Sequence, residues 1–279
     1  MSFNKCKTKR VFITCMLALT FALSACGKKE KTENDQPVDH VSVIGDVHEN
    51  TVKISPNGII TEIAVEDYSD SDVDTSSVES YVKGEIDKFN GKRGACDISL
   101  MEIDIKGNTV RTCIQFNDID TYNEFNGYNI QLTKYDPKTP DEIAKKEAAE
   151  IASLNDAMSD VDDEDFENIS EEELEAAGYT LEDLERIKEE RQGKSPSGSD
   201  SASVTDAVAT FTDADGQNVV ESKDISGETY MMLITDVDMK FVFNSGKVCY
   251  TNKHAEKVND SSAHSIGDGK AVIVYDFGM

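Results

Sequence analysis

The stretch Thr51-Val52-Lys53-Ile54-Ser55-Pro56-Asn57-Gly58-Ile59-Ile60-Thr61-Glu62-Ile63-Ala64-Val65 decides the fold class of this chain. Val52 and Ile54 alternate with polar residues, Pro56-Asn57-Gly58 marks a turn, and Ile59, Thr61, Ile63 and Val65 alternate again. Period-two alternation on both sides of an Asn-Gly turn predicts a β-hairpin. Downstream, Ser76 and Glu79 have capping-box spacing, and Val78, Val82, Ile86 and Phe89 fall on one helical face. Ile98 to Phe116 reads as two strands joined at Lys106-Gly107, with a phase slip between Leu100 and Met101 that predicts a bulge. If Ile105 faces Asn108, Cys113 falls opposite Leu100 and roughly 13 Å from Cys96, beyond disulfide reach. A short helix from Asp118 to Phe125, stopped by Asn126-Gly127, and a strand within Asn129 to Thr133 follow.

Strand patterns return from Val204 to Phe211, ahead of an Asp213-Ala214-Asp215-Gly216 turn. Tyr230 to Ile234 is a compact apolar run, and Val237, Met239, Phe241 and Phe243 alternate with Asp238, Lys240 and Val242. After the Asn244-Ser245-Gly246-Lys247 turn, Val248 and Tyr250 are expected to continue the inward face, and Ala271 to Tyr275 is a last strand. The class these patterns predict is α+β: antiparallel strands and hairpins with a few short helices, plus an acidic helical insertion. That insertion is residues 140–192, where acids outnumber bases several-fold and the apolar face is thin; two or three short acidic helices with a turn at Gly178, forming an exposed or mobile insertion, are expected there. Residues 193–203, rich in Ser, Gly, Pro and Lys, read as a linker. The two β-rich parts read as pieces of one domain, 51–279.

The first 25 residues differ in kind. Lys5, Lys7, Lys9 and Arg10 precede an apolar run from Val11 to Leu23 that is shorter than the roughly 20 residues a membrane-crossing helix needs. A charged start, a short apolar middle and a small-residue end are the parts of a secretory signal, 1–25. The junction Leu23-Ser24-Ala25-Cys26-Gly27 resembles the lipobox of bacterial lipoproteins. The resemblance implies that Cys26 becomes the first residue of the processed chain and carries acyl groups such as palmitate. Several acyl chains give stable anchoring where one gives marginal binding. Residues 26–50 then read as the lipidated cysteine and a flexible polar tether. Localisation is expected at the extracytoplasmic face of the cell membrane.

The chain also resembles uncharacterised surface lipoproteins of clostridia and related gut bacteria. The matching stretches are Thr51 to Tyr68 with its Val-Lys-Ile and Val-Glu-Asp elements, Val78 to Asn90 ending Ile-Asp-Lys-Phe-Asn, and Tyr122-Asn123-Glu124-Phe125-Asn126. Gly-Lys-Val-Cys-Tyr at 246–250 and the closing Val-Ile-Val-Tyr strand fit as well. This resemblance implies a surface lipoprotein with an α+β domain and carries no activity.

Charge narrows the partners. The formal net charge is −27, and loss of the basic leader makes the remainder more acidic still. Such a surface repels phosphate backbones, which excludes nucleic acid as a partner class and disfavours broad contact with anionic lipid. An unknown protein or small molecule, and the membrane through the N-terminal lipid, remain as expected partners. Cys26, Cys96, Cys113 and Cys249 follow the signal, and three thiols besides the lipid carrier cannot all pair within the chain.

Candidate metal ligands cluster at Asp160, Asp162, Asp163, Glu164 and Asp165, since calcium takes six to eight oxygens. Aligned as an EF-hand loop, however, the stretch places Phe166 and Glu167 where a ligand and a glycine belong. Calcium therefore stays a weak expectation, and no cofactor is expected. Asp213 and Asp215 are expected in a hairpin turn; His254 and His264 could lie near Cys249 in space, but their spacing matches no zinc signature and they are expected as exposed loop residues. No Gly-x-Ser-x-Gly, His-Glu-x-x-His, Cys-x-x-Cys or phosphate-binding glycine loop occurs, and Trp is absent. The expectation is a non-enzymatic binding or envelope-interaction module. A solute-binding lipoprotein of a transporter and a calcium-modulated adhesin are the alternatives.

Overall fold

A computed structural model describes residues 44–69, 75–157, 207–267 and 269–278. The opening hairpin forms as expected: β1 (Thr51–Ile54) and β2 (Ile60–Asp67) pair antiparallel with Ile54 opposite Ile60. Its turn closes through Gly58 N–H donating to the Ser55 carbonyl at 2.9 Å, with Gly58 at φ +83°, a conformation that favours glycine. The phase of β2 is more complex than its alternation predicts. Ile60 and Glu62 share the inward face with Ile54 and Val52, whereas Ile63 points outward and packs with Ile44, Val47 and Cys113. Both faces of the strand are covered, so its apolar residues no longer identify one inside.

The outer cover comes from residues 44–50, expected as the end of the tether. Ile44–Asp46 forms a 3-10 turn with Ile44 buried. Arg111 Nε donates to the Val47 carbonyl at 2.8 Å, and Asn50 Oδ1 accepts from Val65 N–H at 2.8 Å. Two apolar residues and these polar pins fold the strap onto the sheet, so the domain begins at Ile44 among the described residues.

Helix α1 (Val78–Arg93) leads to β3 (Ile98–Lys106), β4 (Thr109–Phe116), helix α2 (Ile119–Asn126) and β5 (Gln131–Lys134). The α1 cap position falls on Ser77 rather than Ser76, after a 3-10 turn, and its side chain makes no capping bond. Both helices end on a left-handed glycine, Gly94 and Gly127, and both use an asparagine to seize the strand that follows. Asn90 Oδ1 accepts from the amides of Asp97 (3.0 Å) and Ile98 (3.1 Å), while its Nδ2 donates to the Ile98 carbonyl (2.8 Å). Asn123 repeats the device on Ile130, accepting at 3.0 Å and donating at 2.7 Å. The β3–β4 turn is Gly107-Asn108, with Lys106 opposite Thr109 and a register shift between Leu100 and Glu102. Cys113 therefore faces Glu102, not Leu100; the turn lies one step later than expected, and the bulge at Met101 absorbs part of the offset. Cys96, Cys113 and Cys249 are all free thiols.

The later strands are β6 (Thr210–Asp213), β7 (Val219–Glu221), β8 (Met231–Thr235), β9 (Met239–Phe243), β10 (Lys247–Thr251), β11 (Ala255–Asn259), β12 (Ser262–Ser265) and β13 (Ala271–Asp276). They complete a seven-stranded sheet, β11-β12-β9-β1-β2-β4-β3, and a six-stranded sheet, β5-β8-β13-β10-β6-β7. Pairing is antiparallel except between β1 and β9, which run parallel with Val52 opposite Phe241. All these elements belong to one compact unit, 41–279. The architecture is α+β and mostly β.

Two apolar layers hold it. The larger joins the inner face of the seven-stranded sheet (Val52, Ile60, Phe241, Phe243) to Leu233, Val248, Ile273 and Tyr275 of the other sheet, with Ile86 and Tyr122 from the helices. The second, on the far side of the six-stranded sheet, holds Phe211, Met232, Ile234, Val272 and Val274. β13 is thus buried on both faces from Ala271 to Tyr275, each large side chain contributing about 1.5–3 kcal/mol. Cys249 sits at a register shift in β10, so Tyr250 leaves the inward face of Val248 and joins the second layer.

Helix α3 (Lys138–Ala157) covers that second layer through Ile143 and Ala144. The beginning of the acidic segment is therefore packed against the domain, which its thin apolar face did not suggest. The rest of 140–192 and the linker 193–203 lie outside the described residues. Among the described residues no helix is long and apolar enough to cross a membrane.

Candidate functional site

A row of buried polar groups collects at the end of the sandwich where β9 begins and β12 ends. Met239 and Ser265 face each other across that pair, and Glu62 projects inward from β2 beside Val52. Asp118 caps α2 by accepting from Thr121 N–H at 2.7 Å, and this first turn delivers Tyr122 into the same region. The Tyr122 ring stands edge-on to Phe116 at 5.0 Å, and its hydroxyl donates to Glu62 Oε1 at 3.2 Å while touching Met239 Sδ at 3.6 Å. Glu62 is only 2% exposed. A carboxylate taken this far from water needs hydrogen bonds or opposite charge, and the tyrosine hydroxyl supplies one bond. The hydroxyls of Ser265 and Thr121 are buried with no hydrogen-bond partner among the described residues.

A second cluster joins α3 to the turn between β10 and β11. His254 Nε2 lies 3.3 and 3.4 Å from the two oxygens of Glu147, and Lys253 Nζ lies 3.5 Å from Oε2. The imidazole is nearly equidistant from both oxygens, so the contact is more electrostatic than a directed hydrogen bond. Burial pushes the Glu147 carboxyl up, but the His254 contact and the Lys253 charge outweigh it and hold the group below the usual carboxylate range. Gly269 makes the close packing possible: a Cβ there would stand 2.5 Å from His254 Cε1.

A third cluster lies on the outer face of the seven-stranded sheet. His264 places Nε2 at 2.8 Å from Asp238 Oδ1 and Nδ1 at 3.6 Å from Glu49 Oε2, and Lys240 Nζ contacts Glu49 Oε1 at 2.8 Å. The two carboxylates sit on opposite ring nitrogens and so cannot share one metal ion with the imidazole. Among the described residues no group of three or more His, Cys, Asp or Glu side chains could hold a metal.

Cys26 and the acids Asp160, Asp162, Asp163, Glu164 and Asp165 lie outside the described residues. Asp213 stands in the expected hairpin turn, accepting from Gln217 N–H at 3.0 Å and Asn218 Nδ2 at 2.6 Å. Both histidines depart from expectation: His254 is 7% exposed because α3 and Gly269 close over it, and His264 is half-buried in β12 rather than exposed in a loop. The thiols of Cys113 and Cys249 are both pushed up by burial, the opposite of what activates a nucleophilic cysteine. Glu62 was illegible because an acid in a period-two strand reads as solvent-facing, and the His254–Glu147 pair spans 107 residues.

No family profile matches the chain, and neither a curated protein nor a solved structure matches it.

Proposed function

We propose that this chain is a lipoprotein held at the extracytoplasmic face of a cell membrane by acyl groups on Cys26, and that its sandwich domain is a non-enzymatic binding or envelope-interaction module. The observation that carries the reading is the step Leu23-Ser24-Ala25-Cys26 behind a basic start and a short apolar run. One feature supports binding over catalysis: the thiols of Cys113 and Cys249 are pushed up by burial, away from the reactive thiolate. The strong negative charge favours a neutral or basic partner.

Mass spectrometry of the protein from native cells tests the anchor. The expected N-terminal peptide begins at Cys26 and carries acyl mass, and Cys26→Ser shifts the protein out of the membrane fraction or stops its processing. An intact N-terminus with an unmodified Cys26 overturns the location. Turnover of a panel of esters, peptides or glycosides by the purified domain overturns the binding role.

A further inference from the structure

Among the elements covering the core, α3 is held differently from the others. Its described residues on the sheet side recur at helical spacing as Pro140, Ile143, Ala144, Glu147, Ala148 and Ile151, and of these only Pro140 is buried. Apolar contact with the sheet comes from Ile143 and Ala144, both half-buried. Among the described residues the rest of the grip is polar and sits at two points. At the first, Asp141 Oδ1 accepts from Ser222 Oγ at 2.5 Å and from Ala209 N–H at 3.0 Å. At the second, Glu147 occupies the middle of the stripe and meets His254 and Lys253. On the helix's own outer side Lys146 reaches Glu150 at 3.9 Å, so it does not neutralise Glu147. Ile143 and Ala144 pack against the apolar layer that includes Phe211, Met232, Ile234, Val272 and Val274 on that side of the six-stranded sheet.

We propose that α3 is a charge-held strap that lifts from the six-stranded sheet as a unit before the rest of the domain opens, with Glu147, His254 and Lys253 as its clasp. The stripe of an ordinary covering helix carries an apolar residue at its centre; here that place is given to a carboxylate. The helix itself brings few apolar side chains to the contact, so the clasp, which depends on an ionised Glu147, carries an outsized share of its hold. The strap decides whether the apolar layer around Val272 and Val274 is covered.

Hydrogen exchange on the full chain tests this, reading α3 amides 141–153 against β13 amides 271–276. The expected wild-type result is faster exchange in α3 than in β13, since elements that open locally lose protection below the global limit. Glu147→Gln, which keeps the shape and removes the charge, is expected to speed exchange in α3 by about tenfold or more, as for loss of a charged hydrogen bond, with β13 changed by less than about twofold. Ser222→Ala, at the other grip, shifts the same amides in the same direction. Exchange of α3 and β13 together in the wild type overturns the proposal. So does a Glu147→Gln variant that leaves α3 unchanged or loses α3 and β13 protection equally, which includes a variant that fails to fold.

Discussion

Replacing Asn90 by alanine should unseat the start of β3. The side chain makes three bonds to the backbone, two accepted from Asp97 and Ile98 and one donated to Ile98, all between 2.8 and 3.1 Å. At about 1 kcal/mol net for each bond, rising where a buried group is left unpaired, the loss is about 2–4 kcal/mol. Ile98 itself is 2% exposed and belongs to the main core, so water cannot easily replace the missing partner. Asn90→Asp keeps the two accepted bonds but sets a carboxylate oxygen against the Ile98 carbonyl where the amide donated, so it too should be less stable than wild type. Urea denaturation followed by far-UV circular dichroism should place both variants below wild type at unchanged m-value. A loss below about 0.5 kcal/mol for the alanine variant would refute the claim that this side chain stands in for a strand partner.

Three further outcomes follow from particular contacts. Asp118→Ala removes the α2 cap and should cost about 1 kcal/mol in thermal or urea melts. The Asp118 carboxyl is held below its ordinary value by the Thr121 amide, so its contribution is present above the ordinary carboxylate range and fades as pH falls through the depressed folded value; a melt series that gained this contribution on acidification would contradict it. Gly269→Ala drives a methyl into the His254 ring and should lower stability by about 1–3 kcal/mol, with the imidazole resonances of His254 displaced in NMR spectra. Among the described thiols, alkylation of the native protein should label exposed Cys96 first and spare buried Cys113 until denaturant is added; equal labelling rates would show that the outer face is open.

What the residue pattern reveals and what it hides follow from the covering of each strand. The first hairpin, α1, the bulge at Met101 and the Asp213 turn are legible because each rests on local chemistry: alternation, helical spacing, a phase slip, an aspartate beside a glycine. β11 and β12 are not, since Ala-Glu-Lys-Val-Asn and Ser-Ala-His-Ser carry too few large apolar residues to announce a strand. β2 misleads because Ile63 is buried under a strap that sequence alone reads as tether. The turn of Tyr250 to the second layer depends on an irregularity at Cys249 with no distinctive residue type. Glu62 and the His254–Glu147 pair are long-range facts, and no window of sequence contains both partners.

The parallel pairing of β1 with β9 has a bearing on when the protein can fold. A strand from the beginning of the domain and one from its last sixth form the middle of the same sheet, so synthesis must pass residue 243 before the first hairpin finds its neighbour. Until then β1 offers an unsatisfied edge, and ring closure over so long a span is slow. Such a chain reaches its final form only after its C-terminal strands have followed.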